Sequence, residues 1–396
     1  MGASSNLSML TVGAVVLAGT GLVGGIGVGS AEASRPPAPG VGPVAGVSDR
    51  AYVANEGTGT ISVIDTTTDR VVDTICLGSD PAIAGTPQPA GPCNADRDHH
   101  AALYNGHVGT HGLYLTPQSD VLLATNRISG TVVAIDTTTN ELLGYLPVGR
   151  EPHLVTVRPG GREAWAAIRG EDYVEVLDLD RDDLHDETRH RTERFESRAK
   201  IATPLGPSMV AFDSTGRQAF VVAAKEARVV KVDATTRQVV AERAVPARFT
   251  PFGFVSPDDE EVWLVHKGAG TISVLATGDL SPVVESMPVG ARANHVAFVG
   301  PYAYISVAGA PGQDGKVVIV DRSSKTIVHE LTGPAWNGEP HGIWPAGGSK
   351  VYVGHEGGDR VTVLDVADPA DPTDDTVAGT ITDTNLDKPI DVVVAP

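Results

Sequence analysis

Four histidines carry the clearest chemical signal in this chain. His111, His153, His295 and His341 each stand immediately before a short apolar run: GLYLTP, LVTVRP, VAFVG and GIWP. Imidazoles brought to one place from separate segments make a ready site for copper, iron or zinc. Two of the four lie in Glu-Pro-His triplets, Glu151-Pro152-His153 and Glu339-Pro340-His341. A carboxylate two residues away is a candidate acceptor for the second ring N–H of a metal-bound histidine. The four histidines are therefore the candidate metal ligands, with Glu151 and Glu339 behind them. The chain has no Gly-x-Ser-x-Gly elbow, no phosphate-binding glycine loop and no His-Glu-x-x-His, so no catalytic residue is named.

Convergence of this kind needs an element that repeats. One copy runs from Ala51 to Gly78, AYVANEGTGTISVIDTTTDRVVDTICLG, and a second ends at Gly149, LLATNRISGTVVAIDTTTNELLGYLPVG. Each holds a hydrophobic strand, a Gly/Asn loop, an alternating strand ending in Ile-Asp, a Thr-rich turn and a further strand. Self-similarity at roughly 40–50 residues predicts the blades of a β-propeller. Seven copies align. The first lacks an inner strand, and Asp391-Val-Val-Val-Ala-Pro396 supplies one with nothing after it. The expectation is an all-β, seven-bladed propeller over residues 50–396, closed by N- and C-terminal strands sharing a blade, which leaves no open blade edge.

In ring order, the position just before each inner strand reads His111, His153, Ser208, Phe252, His295, His341 and Ile390. The end of the second strand reads Asn55, Asn126, Ile168, Ala223, His266, Val307 and His355. Both positions belong to one mouth of the channel, so His266 and His355 join as possible further ligands. Two insertions break the period. Residues 78–110 are expected to cap the same mouth, and they add His99, His100 and His107. Residues 180–199, DRDDLHDETRHRTERFESRA, project from the opposite face and read as a solvated charged loop. The gap at Ser208, Phe252 and Ile390 would leave one side of a metal open, as a catalytic metal requires.

The segments AYVANEGTGTISVIDTTTDRVVDTI and SKVYVGHEGGDRVTVLDV resemble the YVTN-type, or YncE-like, seven-bladed propeller repeats. That resemblance implies the fold and little about activity. The Glu-Pro-His triplets and Asp98-His99-His100 also resemble the histidine motifs of the nitrous oxide reductase propeller. With Ser208, Phe252 and Ile390 among the inner positions, this second resemblance implies metal binding at the mouth rather than that reaction.

Composition limits the partners. The formal net charge is -19, which argues against nucleic acid and anionic membrane surfaces. Residues 9–28 are apolar and Ala31-Glu32-Ala33 follows, so residues 1–33 read as an export signal and 34–49 as a Pro/Gly linker. The expected location is secreted or extracytoplasmic, as a monomer. Two cysteines in an exported chain, Cys76 and Cys93, suggest a disulfide. The functional expectation is a secreted propeller binding a transition metal (copper, iron or zinc), with oxidoreductase activity as one outcome. The alternatives are a non-catalytic propeller for a small polar ligand or an extracellular protein or glycan, and a divalent-ion lactonase or lyase.

Overall fold

The computed structural model describes residues 49–77, 108–247, 249–347 and 349–395. Cys93, His99, His100 and His107 lie outside the described residues, as do the export signal, the linker and most of the capping insertion.

The described residues form seven four-stranded antiparallel sheets. Blade 1 has the order Pro389–Val394, Arg50–Asn55, Thr60–Asp65, Arg70–Cys76, so the last strand of the chain is the innermost strand of the first blade. Val392 pairs with Val53 and Val394 with Ala51. This pairing closes the ring and covers the strand edge that Arg50–Asn55 would otherwise expose. The only α-helix among the described residues is the single turn Arg181–Leu184.

Alternating side chains explain how the blades pack. Tyr52, Ile61 and Val63 face one neighbour with Leu122, Ala124 and Val133, while Ala51, Val53 and Ile64 face the other with Tyr352 and Val361. The second and third strands are buried on both sides, which is why they read as nearly continuous apolar runs. In four blades the third strand ends in an aspartate, Asp65, Asp136, Asp233 or Asp321, that caps the following turn. Asp65 Oδ1 accepts from Thr67 N and Thr68 N at 2.8 and 3.0 Å, and Asp136 Oδ1 accepts from Thr138 N and Thr139 N at 2.7 and 2.9 Å. Asp69 and Asn140, at the far end of those turns, take the left-handed conformation.

Two features differ from the sequence reading. The 180–199 segment is not merely a solvated loop. Leu184 and Phe195 are buried in the core between blades 2 and 3, and the outer strand Ser197–Ala202 begins within the segment. The inner strands also start earlier than expected, at Thr110, Pro152, Pro207, Phe252, Ala293, Pro340 and Pro389. The candidate histidines therefore lie inside them, and the registers show a break at each one. Pairing skips from Thr110 to Leu113, from Pro152 to Val155, from Ala293 to Val296 and from Pro340 to Ile343. A β-bulge turns a side chain out of the normal pleat, and here it aims the histidines at the propeller axis.

Candidate functional site: the imidazole floor of the channel mouth

His111, His153, His295 and His341 converge from four blades and all are buried. Ring centroids are 4.4 Å apart for His111 and His153, 6.5 Å for His111 and His341, and 5.0 Å for His295 and His341. Each ring is held by its neighbours. His153 Nδ1 donates to the Ser208 carbonyl and His341 Nδ1 to the Ile390 carbonyl, both at 2.8 Å, so each reaches the inner strand of the next blade. A carbonyl can only accept, so these two imidazoles carry the proton on Nδ1 and keep the Nε2 lone pair. His295 Nε2 is buried without a hydrogen-bond partner, and His111 Nδ1 faces Glu56 Oε1 at 3.3 Å.

Burial is the first cause that lowers the proton affinity of all four. His295 is pushed down to about 3 by burial, with His111 and Lys267 adding repulsion. His341 falls well below the usual value through burial and then Lys267, and His153 through burial and then His111, Arg169 and Arg127. His111 is lowered by burial, against an opposing pull from Glu56. At neutral pH the floor is thus a set of uncharged imidazoles.

The position of Phe252 removes the open side expected from the sequence. Its ring lies 4.1 Å from His295, 5.5 Å from His153 and 5.6 Å from His341, and it is buried among them. Among the described residues, no group of three or more His, Cys, Asp or Glu side chains is arranged to hold a metal ion. The imidazoles are gathered, with an aromatic ring packed against three of them.

The remaining candidates have other partners. His266 bonds Thr250 Oγ1 at 2.7 Å and Ser273 Oγ at 2.9 Å, and His355 bonds the Asn337 carbonyl at 2.7 Å and Thr362 Oγ1 at 2.8 Å. Both nitrogens of each ring are used within the protein. Asn55 does the same work in blade 1, where its Nδ2 donates to Ser62 Oγ at 2.9 Å. These two histidines tie the second strand to the third and do not serve the floor. Glu151 and Glu339 do not support His153 and His341 either. Both have positive φ, 51° and 65°, and their carboxylates face cations. Glu339 forms a two-pronged pair with Arg292, and Glu151 lies 3.9 Å from Arg127 and 3.6 Å from Lys225.

Other carboxylates meet the imidazoles. Glu56 Oε1 is 3.3 Å from His111 Nδ1, Glu356 Oε2 is 3.8 Å from His341 Nε2, and Asp391 Oδ1 is 3.9 Å from His295 Nδ1. Asp391 accepts from Leu113 N and Val392 N, both at 3.0 Å, and burial still pushes its carboxyl up to about 7. A cavity of about 30 Å³ beside it, lined by Thr156, His295 and Asp391 among others, has room for one water.

Glu56 and Glu356 belong to a second layer. It is built from the residue directly after each second strand: Glu56, Arg127, Arg169, Ala224, Lys267, Ala308 and Glu356 in ring order. Five of these are charged, and that recurrence at one repeat position was the signal by which the sequence could have revealed them. Arg127 pairs with Glu56 at 2.6 Å and Lys267 with Glu356 at 3.6 Å, while Lys388 reaches Glu56 at 3.3 Å. A larger pocket, about 620 Å³, lies at the opposite end of the channel around Arg158, Asp178 and Arg181. Its charges are largely paired with one another, Arg158 with Glu163 at 3.0 Å and Arg198 with Asp178, so the mouth holds the unsatisfied chemistry.

No protein-family model and no curated protein matches the chain. Solved structures do. A functionally unknown protein from Desulfotomaculum acetoxidans superposes with a TM-score of 0.63 at 11% identity, over 88% of this chain and 99% of that one. Kuenenia stuttgartiensis hydrazine synthase gives 0.56 at 20% identity, over 65% of this chain and 77% of that one. The dihydro-heme d1 dehydrogenase NirN gives 0.56 at 11% identity, over 87% of this chain and 75% of that one. At these identities the likeness is one of fold, a β-propeller shared by proteins of different function.

Proposed function

We propose that this propeller is an extracytoplasmic binding protein whose site is the channel mouth, and that its imidazole floor takes a transition metal ion, copper, iron or zinc. The observation that carries the reading is the state of the rings. His153 and His341 donate Nδ1–H to backbone carbonyls, the arrangement that orients a histidine to ligate through Nε2. Burial keeps all four imidazoles neutral, the form that binds metal. The buried, unpartnered Nε2 of His295 is a polar atom that a metal would satisfy. Occupancy requires the rings to turn about their side-chain torsions, with Phe252 giving way.

A second reading has its own support. With Phe252 packed between His153 and His295, the mouth can also act without metal, as a receptor for a polar organic ligand hydrogen-bonded by the same rings. Export and the YVTN-type assignment rest on the sequence motifs. The enzymes among the structural neighbours lend their fold and not their reactions.

The deciding experiment is metal analysis of tag-free protein after exposure to Cu, Fe and Zn, alongside the His153→Ala/His341→Ala variant. Stoichiometric metal in the parent that is lost from the variant, with the β-rich circular dichroism unchanged, supports the metal reading. No metal in the parent, or full occupancy in the variant, leaves the organic-ligand reading.

A further inference from the structure

We propose that the channel mouth binds an organic carboxylate with an apolar body, its negative group meeting Arg169 and its body resting against Phe249 and Leu205. This deepens the proposed function by naming the ligand class of the same site, but it does not require the metal.

Arg169 is the cation of the second layer with no carboxylate at ion-pair distance. Arg127 has Glu56 and Lys267 has Glu356, whereas among the described residues the Arg169 side chain has no hydrogen bond or ion pair with a carboxylate. Its guanidinium is partly buried, and burial followed by the like charge of Arg127 lowers its proton affinity against a weaker pull from Glu151 and Glu56. An arginine does not release its proton in response, so the guanidinium stays charged and can take an anion directly. The planar fork of a guanidinium matches a carboxylate in two-pronged geometry.

The apolar part has a surface to meet. The Arg169 guanidinium lies 5.8 Å from the centroid of the Phe249 ring, and Phe249 is 41% exposed. Phe249 adopts a φ of 59°, a conformation that bulky L-residues seldom take. The loop thus imposes the position of this exposed ring at some cost in backbone energy, a pattern that clusters at ligand-binding sites. Leu205, also 41% exposed, lies in the loop leading into the inner strand of blade 4, as Phe249 lies in the loop leading into that of blade 5. Between them blade 4 contributes Ala224 to the second layer, and the Lys225 side chain beside it runs past Gly206 towards Glu151. Cation and exposed aromatic face together describe a seat for an aromatic or aliphatic carboxylate.

The test is calorimetric titration of the full chain, freed of metal by chelation, with benzoate and phenylacetate as probes and acetate and phosphate as comparators. Benzoate or phenylacetate should bind, Arg169→Gln should weaken binding roughly tenfold or more, and Arg169→Lys should weaken it less. Phe249→Ala should remove the preference of the aromatic acids over acetate. Circular dichroism and thermal melting of each variant establish that the fold persists. Absence of binding by any of the four probes at 10 mM (roughly the weakest useful affinity), or equal binding by the parent and Arg169→Gln, overturns the proposal. Because the protein is metal-free, either result leaves the metal reading to its own experiment.

Discussion

The Thr125 hydroxyl links two blades: it donates to the His153 carbonyl at 2.7 Å and accepts from Gly112 N–H at 2.9 Å. Gly112 lies in the bulge beside His111, so one hydroxyl fixes the backbone of two floor histidines. Ser306 repeats the device across the ring, accepting from His295 N–H at 3.0 Å and donating to the His341 carbonyl. Thr125→Val keeps the shape of the side chain and leaves a buried N–H and a buried C=O without partners. The expected cost is about 1–3 kcal/mol. Thr125→Ser should lose much less. Denaturant unfolding of the three proteins measures both values.

Phe252 both fills the axis and separates the imidazoles. Phe252→Ala should destabilise the fold by about 3–5 kcal/mol through the cavity it leaves. The same variant should take up transition metal more tightly than the parent, since the rings gain room to approach one ion. Equal or weaker metal uptake by a folded Phe252→Ala would count against the imidazole floor as a metal site.

His266 and His355 supply a pH dependence of known sign. Burial lowers each from 6.5 to about 4, with Arg360 adding repulsion at His355. The unfolded chain takes up these protons near pH 6.5, and the folded chain resists them until about pH 4. Their contribution to stability is therefore complete above the unfolded value and is lost as pH falls towards the folded one. Replacing each with Asn, the residue that does this work at Asn55, should preserve the fold and flatten the acid limb of a stability–pH curve. An unchanged curve for the double variant would show that these rings do not titrate as described.

The Cys76–Cys93 disulfide is proposed from the sequence, because Cys93 lies outside the described residues. Alkylation and mass spectrometry of the protein folded under oxidising conditions should find no free thiol. Cys93→Ser should cost about 3 kcal/mol, the chain-entropy value for a loop of roughly 18 residues.

Closure of the ring predicts a long-range effect of a terminal change. Asp391 and Val392 pair with Ala54 and Val53, more than 300 residues away in sequence. A proline at Val392 would break this innermost pairing and should produce a protein that aggregates through the exposed edge. Size-exclusion chromatography shows whether the monomer survives.

The repeat alone determined the seven blades, the shared first blade and the convergence of one position from every inner strand. Strand patterning has a period of two and a fixed register, so equivalent residues in seven copies must face the same way. What each histidine does there was decided only by the tertiary structure. His111, His153, His295 and His341 reach the axis because bulges in their strands redirect them. The ring nitrogens of His153 and His341 then take carbonyls from the next blade. Glu151 and Glu339 are close to the histidines in sequence but meet cations instead, since their positive φ turns the chain before the strand begins. Glu56 and Asp391 face His111 and His295 from another blade, whereas Glu356 faces His341 within its own blade. Partners from another blade arise from closing a ring, and no local pattern within one repeat encodes which of them will meet.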